Sequence, residues 1–239
     1  MSHLLDKVIE AHGGWRSWQA VSKLTVRADV GGELWLSKGK GGIIDDVCIE
    51  IDTRRQHVEY FPFGTPGRRS VWEPDRTVFA TDQGGVIEIR ENPRTSFAGH
   101  VHESPWDDHH LIYFSGYAIW TYLTAPFLLK LPGFETQEVE PWNENGNEWR
   151  GLKAIFPDTI ASHSKEQNFY FDETGILRRH DYRVDVSGGF PGANYASDPK
   201  EFSGFIVPTK RRVFGRNPNK RPVKNRVEVA IDIRNIDVS

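Results

Sequence analysis

The longest uncharged stretch of the chain lies in its middle, over residues 111–129. Asp107 and Asp108 precede it, where a helix favours side-chain acceptors and negative charge. Pro126 marks the point at which a regular helix ends or kinks. The pattern therefore predicts one helix over about residues 107–125. Apolar side chains cover most of its circumference, which is typical of a helix buried in a core or a membrane.

One stripe of this helix differs from the rest. At about 100° per residue, its polar-tipped side chains fall within about a quarter of the circumference. They are His110, Tyr113, Tyr117, Thr121 and Thr124. Apolar walls with a few convergent polar groups are typical of ligand pockets, so the stripe indicates a cavity. The alternative is a packed core in which each hydroxyl bonds a neighbouring carbonyl.

Both flanks of the helix alternate between apolar and polar residues, as half-buried strands do. Residues 23–30 show the alternation clearly, and Gly31-Gly32 predicts a hairpin into ELWLSK. After the helix, residues 176–186 and 227–233 continue the pattern, and SGGFPGANYASDP is predicted to be a loop. A short amphipathic helix over residues 2–12 opens the chain.

These elements predict a mainly β protein with helices (α+β), in a single domain over residues 1–239. A long antiparallel sheet must cover one face, and the apolar central helix supplies that cover. We therefore expect a curved, incompletely closed antiparallel β-barrel of about 11–12 strands wrapped around the central helix.

Composition and charge narrow the classes of function. The chain is 38% hydrophobic and 26% charged, which is ordinary for a soluble globular protein. A net charge of −3 gives no general attraction to nucleic acid, and we expect no nucleic-acid partner. The locally basic segment 210–226 could contact an anionic lipid head group or nucleic acid, but a solvated hairpin around Arg216-Asn217-Pro218-Asn219 is favoured. Cys48, the single cysteine, excludes an internal disulfide, and its apolar neighbours indicate a buried thiol.

The N-terminal sequence MSHLLDKVIEAHGGW lacks the basic start and apolar run of a signal peptide, so we expect a cytoplasmic protein. The central stretch approaches the length of a membrane span. Pro126 interrupts it, however, and both flanks have the pattern of soluble strands. We therefore expect no transmembrane segment.

Several phrases along the chain resemble a bacterial family with the LolA/LolB-like fold of lipoprotein carriers: AHGGWRSWQAV, YFSGYAIWTYLTAPFLL, FYFDETGILRRHDY and VPTKRRV. The order of elements is also similar, with a short N-terminal helix, a long antiparallel meander and helices inserted before the sheet resumes. Such folds form an incomplete barrel whose helices cover an apolar cavity that holds acyl chains. The resemblance implies binding of a hydrophobic small molecule or lipid.

Histidine and carboxylate side chains cluster near the start of the central helix, and these types suit zinc or non-haem iron. The candidate ligands are His100, His102 and His110, although their spacing matches no standard metal motif. The alternative is that Asp107 and Asp108 cap the helix while the histidines are structural. We predict no metal and no other cofactor.

Catalysis is a second hypothesis for the same cavity. His110, His163 and His180 are candidate general bases, with Asp181 as a candidate partner, because histidine titrates near neutral pH. The chain has no Gly-x-Ser-x-Gly elbow, no Cys–His nucleophile arrangement and no phosphate loop. An isomerase, cyclase or hydrolase stays open as an alternative, as does a purely structural or partner-binding module with a packed interior.

The favoured hypothesis is a carrier or sensor of a hydrophobic small molecule, held between the concave sheet and the central helix. Burial of apolar surface would supply most of the affinity, at roughly 25 cal/mol per Å². The lining is predicted from the helix region and from the sheet; it comprises Trp106, His110, Tyr113, Tyr117 and Trp120, together with Tyr170, His180 and Tyr182.

Overall fold

The computed structural model describes residues 3–239. The N-terminal helix is predicted to begin at residue 2, which lies outside the described residues. The α-helices are α1 (His3–Ala11), α2 (Trp15–Trp18), α3 (Glu33–Ser37) and α4 (Asp108–Thr124). Short 3₁₀ helices occupy Pro93–Phe97, Phe127–Lys130 and Asp185–Ser187.

The strands form one large, curved antiparallel sheet that does not close. They are β1 (Lys23–Gly31), β2 (Val47–Asp52), β3 (Val58–Phe61), β4 (Arg68–Glu73), β5 (Arg76–Thr81), β6 (Val86–Glu91), β7 (Glu135–Glu144), β8 (Asn147–Ile155), β9 (Glu166–Phe171), β10 (Leu177–Val184), β11 (Phe190–Phe202), β12 (Phe205–Arg216), β13 (Pro222–Val223) and β14 (Val229–Val238).

The first and last strands meet in the middle of this sheet. Its order is β6-β5-β4-β3-β2-β1-β14-β12-β11-β10-β9-β8-β7, and β13 pairs with β12. The pairing of β1 with β14 joins a half built before α4 to a half built after it. The predicted fold class, an incompletely closed antiparallel barrel around a helix, is confirmed, with 14 strands in residues 3–239 instead of the expected 11–12.

One predicted strand is wrong. The segment ELWLSK forms helix α3 instead of the second strand of a hairpin. Gly32, with φ of 123°, turns the chain where a Cβ would lie 2.4 Å from the Glu228 carbonyl oxygen. The amides of Glu33 and Leu34 donate to the carbonyls of Val227 and Glu228, each at 2.9 Å. These bonds satisfy the first N–H groups of a helix and stabilise α3 where a strand was expected.

One predicted loop is also wrong. SGGFPGANYASDP lies largely within β11, a strand paired with both β10 and β12. Pro191 and Pro199 both lie in register with residues of the neighbouring strands. At Gly192 a Cβ would come within 2.7 Å of the Tyr182 ring, so the glycine makes room for a buried side chain. Residue types that usually form turns therefore lie within a packed strand in this segment.

Helix α4 lies on the concave side of the sheet, and residues 109–124 are all buried. The Asp107 carboxylate accepts a bond from the His110 amide (2.9 Å), while the Asp107 amide donates to His110 Nδ1 (3.1 Å). This reciprocal capping box fixes the start of the helix. Among residues 3–239, no helix is both long enough and apolar enough to cross a membrane.

The helix packs against β4 and the 3₁₀ helix Pro93–Phe97, with further contacts to β3 and β5. Gly116 lies against the Trp72 indole, where a Cβ would come within 2.3 Å of Cγ. One turn further on, Trp120 Nε1 donates to the carbonyls of Asp52 (2.9 Å) and Arg55 (3.0 Å) in the turn after β2. These contacts fix one side of α4 to the first half of the sheet.

The Gly116 contact predicts the direction in which stability changes when this glycine is replaced. Glycine to alanine within a helix normally stabilises by about 1 kcal/mol. We expect Gly116→Ala to destabilise the fold instead, by about 1–3 kcal/mol, because the added methyl group overpacks against Trp72. Denaturant unfolding measures the effect. Gly31→Ala is the matched control, since its Cβ would meet nothing within 4 Å. A stabilising Gly116→Ala would contradict this packing of α4.

Candidate ligand-binding site

Three small voids follow one another along the face of α4 that looks toward β1, β12 and β14. We call this row the seam. The voids measure about 20, 20 and 10 Å³. Phe114 and Val229 line both the first and the second void, and Tyr122 lines both the second and the third. Each void has room for about one water molecule, so the seam is a chain of packing defects.

Aromatic contacts close both ends of the seam. His102 stacks on Phe190 beside the first void, with ring centroids 3.9 Å apart and an interplanar angle of 10°. Trp18 stacks on Phe127 beside the third void, with centroids 4.2 Å apart. Between these ends, the seam follows α4 from Phe114 to Leu123. That distance is about 13 Å at 1.5 Å per residue.

A set of buried polar side chains lies beside the seam, between the C-terminal half of α4 and strands β9 to β12. We call it the polar cluster; it comprises Tyr122, His163, Gln167, His180, Tyr182, Asn194 and Arg211. The Tyr122 hydroxyl is hydrogen-bonded to the Tyr182 hydroxyl (2.6 Å) and to His163 Nε2 (2.9 Å). The His163 ring stacks on Tyr182 at 3.8 Å, which joins the loop before β9 to β10.

Burial keeps the titratable rings of this cluster neutral. It lowers the pKa of His163 to about 3 and holds the pKa of His180 well below its usual value. It also raises the pKa of Tyr122 to about 12. A general base works best with a pKa near the operating pH. The cluster therefore has the character of a hydrogen-bonding environment and not of an acid–base pair.

Comparison with known proteins identifies the architecture. No protein-family model matches this chain, and no curated protein matches it. A LolA superfamily protein from Nitrosomonas europaea superposes with a TM-score of 0.54 at 7% identity, covering 99% of this chain and 92% of that chain. A DUF1329 family protein from Desulfovibrio piger gives 0.53 at 11%, covering 99% and 92%. A domain from Vibrio parahaemolyticus named for outer membrane lipoprotein sorting gives 0.53 at 6%, covering 99% and 91%.

The chain has a LolA-like fold. The predicted resemblance is thereby confirmed at the level of architecture. Helix α4 lies on the concave face of this fold, with the seam between it and strands β1, β12 and β14 and the polar cluster between it and strands β9 to β12.

Some of the predicted site residues come together in this LolA-like interior. His180 and Tyr182 both point to the concave side and belong to the polar cluster. Tyr117 joins them through the His163 ring, whose centroid lies 4.9 Å from its own. Trp106 packs on Phe114 near the first void, with centroids 5.0 Å apart.

The other predicted site residues lie elsewhere. Tyr113 lines a separate surface recess of about 360 Å³, together with Arg94 and Asp185. His110 caps α4, and Trp120 bonds the turn after β2, on the side away from the seam. Tyr170 lies on the convex face of the sheet beside Trp142 and Arg179, because Phe169 and Phe171 take the concave positions of β9.

The candidate metal ligands are divided between two places. The His100 and His110 rings are 4.9 Å apart, but His110 Nδ1 accepts the Asp107 amide and Nε2 faces the Ser96 carbonyl at 3.3 Å. His102 stacks on Phe190 instead. Across residues 3–239, no three His, Cys, Asp or Glu side chains are placed to hold a metal ion.

Two features of the second half of the sheet differ from expectation. Asp181 lies on the convex side, bound to Arg179 at 2.6 Å and to Arg216 at 3.0 Å, so it does not partner His180. The basic segment 210–226 begins within β12 and forms the predicted hairpin, in which Arg216 pairs with Pro222 and residues 217–221 are exposed. The hairpin is not wholly solvated, because Arg216 contacts Asp181 and Lys224 lies 3.6 Å from Glu144.

Arg211 and Asn194 are absent from the sequence-based site. Arg211 was grouped with its basic neighbours Lys210 and Arg212, yet a strand alternates its faces at every residue. Arg211 therefore points to the concave side while Lys210 is exposed. The alternation of residues along VPTKRRV indicates this orientation. Asn194 lay within the segment predicted to be a loop, which concealed its orientation.

Buried neutral histidines predict a definite pH dependence. The pKa of His163 is lowered by burial, so below pH 6.5 the unfolded chain binds a proton that the folded chain does not. Stability is then lost as the pH falls, at about 1.4 kcal/mol per pH unit for one such histidine. We expect His163→Gln to reduce that slope by about this amount between pH 6 and pH 4, as measured by denaturant unfolding.

His57 provides a control of opposite sign. Its pKa is raised, chiefly by the hydrogen bond to the Glu59 carboxylate, so its stabilising contribution is gained as the pH falls to 6.5 and is constant below that pH. His57→Gln should therefore lower stability by a similar amount at pH 6 and at pH 4 and leave the slope between them nearly unchanged. An unchanged slope in His163→Gln would mean that the folded protein protonates His163, contrary to the packing described here.

Proposed function

We propose that this LolA-like chain binds and carries a hydrophobic small molecule or lipid, whose apolar part lies in the seam. The observation that carries the proposal is the asymmetry around α4. Gly116 and Trp120 fix the helix to the first half of the sheet, whereas Phe114, Ala118 and Tyr122 face a row of voids. The helix therefore has room to shift only toward or away from the side that faces the voids.

The voids join when few side chains move. Phe114 and Val229 separate the first void from the second, and Tyr122 separates the second from the third. In the proposed loaded state, Phe114 and Tyr122 rotate and α4 shifts away from β14 to give a continuous apolar channel, and the Tyr122 hydroxyl gives up its bonds to Tyr182 and His163. An acyl or other hydrocarbon chain gains about 25 cal/mol per Å² buried there, less the costs of association.

The comparisons support this type of cargo. The Vibrio parahaemolyticus domain is named for lipoprotein sorting, and lipoproteins carry apolar acyl chains. The seam offers the same kind of surface, since its second void is lined by Val30, Ile119 and Ile231 among others. An enzymatic use of the cavity lacks comparable support, because burial keeps His163 and His180 neutral and far from a working pKa.

A ligand titration tests the proposal. Dodecanol is added to the purified protein, and binding is followed by native mass spectrometry and by isothermal calorimetry. We expect one molecule bound per chain, with a negative heat-capacity change from apolar burial. We expect Val229→Phe to weaken this binding about tenfold or more, because the added ring fills the first and second voids.

Val58→Phe is the matched control. Val58 is as deeply buried, on β3, but lines none of the three voids. Both variants overpack the core and should lose similar stability, about 1–3 kcal/mol. Only Val229→Phe should lose ligand. Failure of the wild-type protein to bind either dodecanol or dodecanoate would contradict the proposed function, and equal losses in the two variants would contradict the seam as its site.

A further inference from the structure

Arg211 is a buried cation without an anionic partner. It points inward from β12, with 1% of its surface exposed. Burial lowers its pKa only to about 10, so it stays charged at neutral pH. Across residues 3–239, no carboxylate oxygen lies within 4.0 Å of its guanidinium, and its Nε and Nη1 have no hydrogen-bond partner.

One guanidinium nitrogen has a structural role. Arg211 Nη2 donates to the main-chain carbonyl of Tyr122 at 2.7 Å. Four residues further on stands Pro126, which has no N–H to complete the helical bond to that carbonyl. Arg211 thus caps the last turn of α4, where a positive charge is favourable. This single bond leaves the remaining N–H groups of the guanidinium unsatisfied.

The groups around Arg211 are neutral or unsatisfied themselves. His12 and His180 both have lowered pKa values, first through burial and then in part through the charge of Arg211. Asn194, on the adjacent strand, is fully buried, and neither its side-chain nitrogen nor its oxygen has a hydrogen-bond partner in the described part of the chain. Its amide approaches the Tyr122 hydroxyl.

Arg211 also adjoins the seam. Its cross-strand partner on β14 is Ile231, which lines the second void. Two residues further along the same face of β12, Val213 lines the first void. Because in-register partners share a face, the guanidinium stands beside the apolar channel that the seam would form. A polar anchor therefore lies next to an apolar wall.

We propose that Arg211 and Asn194 bind the carboxylate head group of the carried ligand, which makes that ligand a long-chain carboxylic acid. This inference rests on the proposed function and specifies the class of ligand. A buried charge is ordinarily paired, and leaving one unpaired is costly. One monoanion balances Arg211, and the planar N–H donors of arginine match a carboxylate. The second charge of a phosphate monoester would find no partner here.

Three probes test the inference: dodecanoate, dodecanol and acetate. Dodecanoate and dodecanol share a hydrocarbon chain, whereas dodecanoate and acetate share a carboxylate head group. We expect wild-type protein to bind dodecanoate at least about tenfold more tightly than dodecanol, the lower end of what hydrogen bonds to a charged group contribute. Acetate alone should bind weakly or not at all, because it lacks the apolar chain. Arg211→Gln should abolish the preference for dodecanoate over dodecanol.

A second variant keeps the test valid if Arg211→Gln does not fold. Asn194→Asp preserves the shape of the side chain and supplies an internal carboxylate to Arg211. We expect it to raise the melting temperature and to bring dodecanoate affinity down to that of dodecanol. Arg212→Gln is the control, since Arg212 faces the convex side and pairs with Asp232 at 2.8 Å. It should leave both affinities unchanged.

The outcomes separate this inference from the proposed function. If wild-type protein binds neither dodecanoate nor dodecanol, the proposed function fails and the head-group assignment fails with it. If dodecanol binds as tightly as dodecanoate, the function stands and the carboxylate site is wrong. The same conclusion follows if the preference for dodecanoate survives both Arg211→Gln and Asn194→Asp.

Discussion

The burial of α4 in the concave side of the sheet is the constraint on which the rest of the structure depends. A helix with no charged residue from Leu111 to Thr124 cannot face water over its whole circumference, and a sheet of this length cannot leave its inner face uncovered. Each element supplies the surface that the other must bury. The two surfaces do not match everywhere, since small voids remain between them.

The mismatch is not distributed evenly around the helix. Gly116 lets the backbone of α4 approach Trp72 on one side. On the opposite side Phe114 and Tyr122 line small voids between the helix and β14. The polar cluster lies at the same side, with Arg211 bonded to the last turn of the helix. The tight packing contact and the buried polar side chains therefore lie on two different sides of one helix.

Much of this architecture could be predicted from the sequence, because the signals are periodic. The uncharged stretch with Asp107 before it and Pro126 after it located α4 within one residue at each end. The alternation of apolar residues located most strands. The failures have physical causes: Gly32 opens a helix that backbone carbonyls of Val227 and Glu228 stabilise, and Gly192 makes room for Tyr182 inside a strand.

The site was harder to predict than the fold. Helical spacing placed Tyr113 and Tyr117 together, and alternation placed His180 and Tyr182 together, yet no local pattern shows which face of α4 meets which strand. Tyr170 was assigned to the cavity by residue type, whereas the parity of β9 puts it on the convex face. Arg211 was masked by its basic neighbours, since net local charge says nothing about which side chain points inward.

The most direct test is a crystal structure of the protein loaded with ω-bromododecanoic acid, with the bromine located by its anomalous scattering. We expect the bromine between α4 and β14, near Phe114, with the carboxylate beside Arg211 and α4 still seated on Trp72. A bromine in the surface recess beside Tyr113, or on the convex face, would contradict the seam as the binding site.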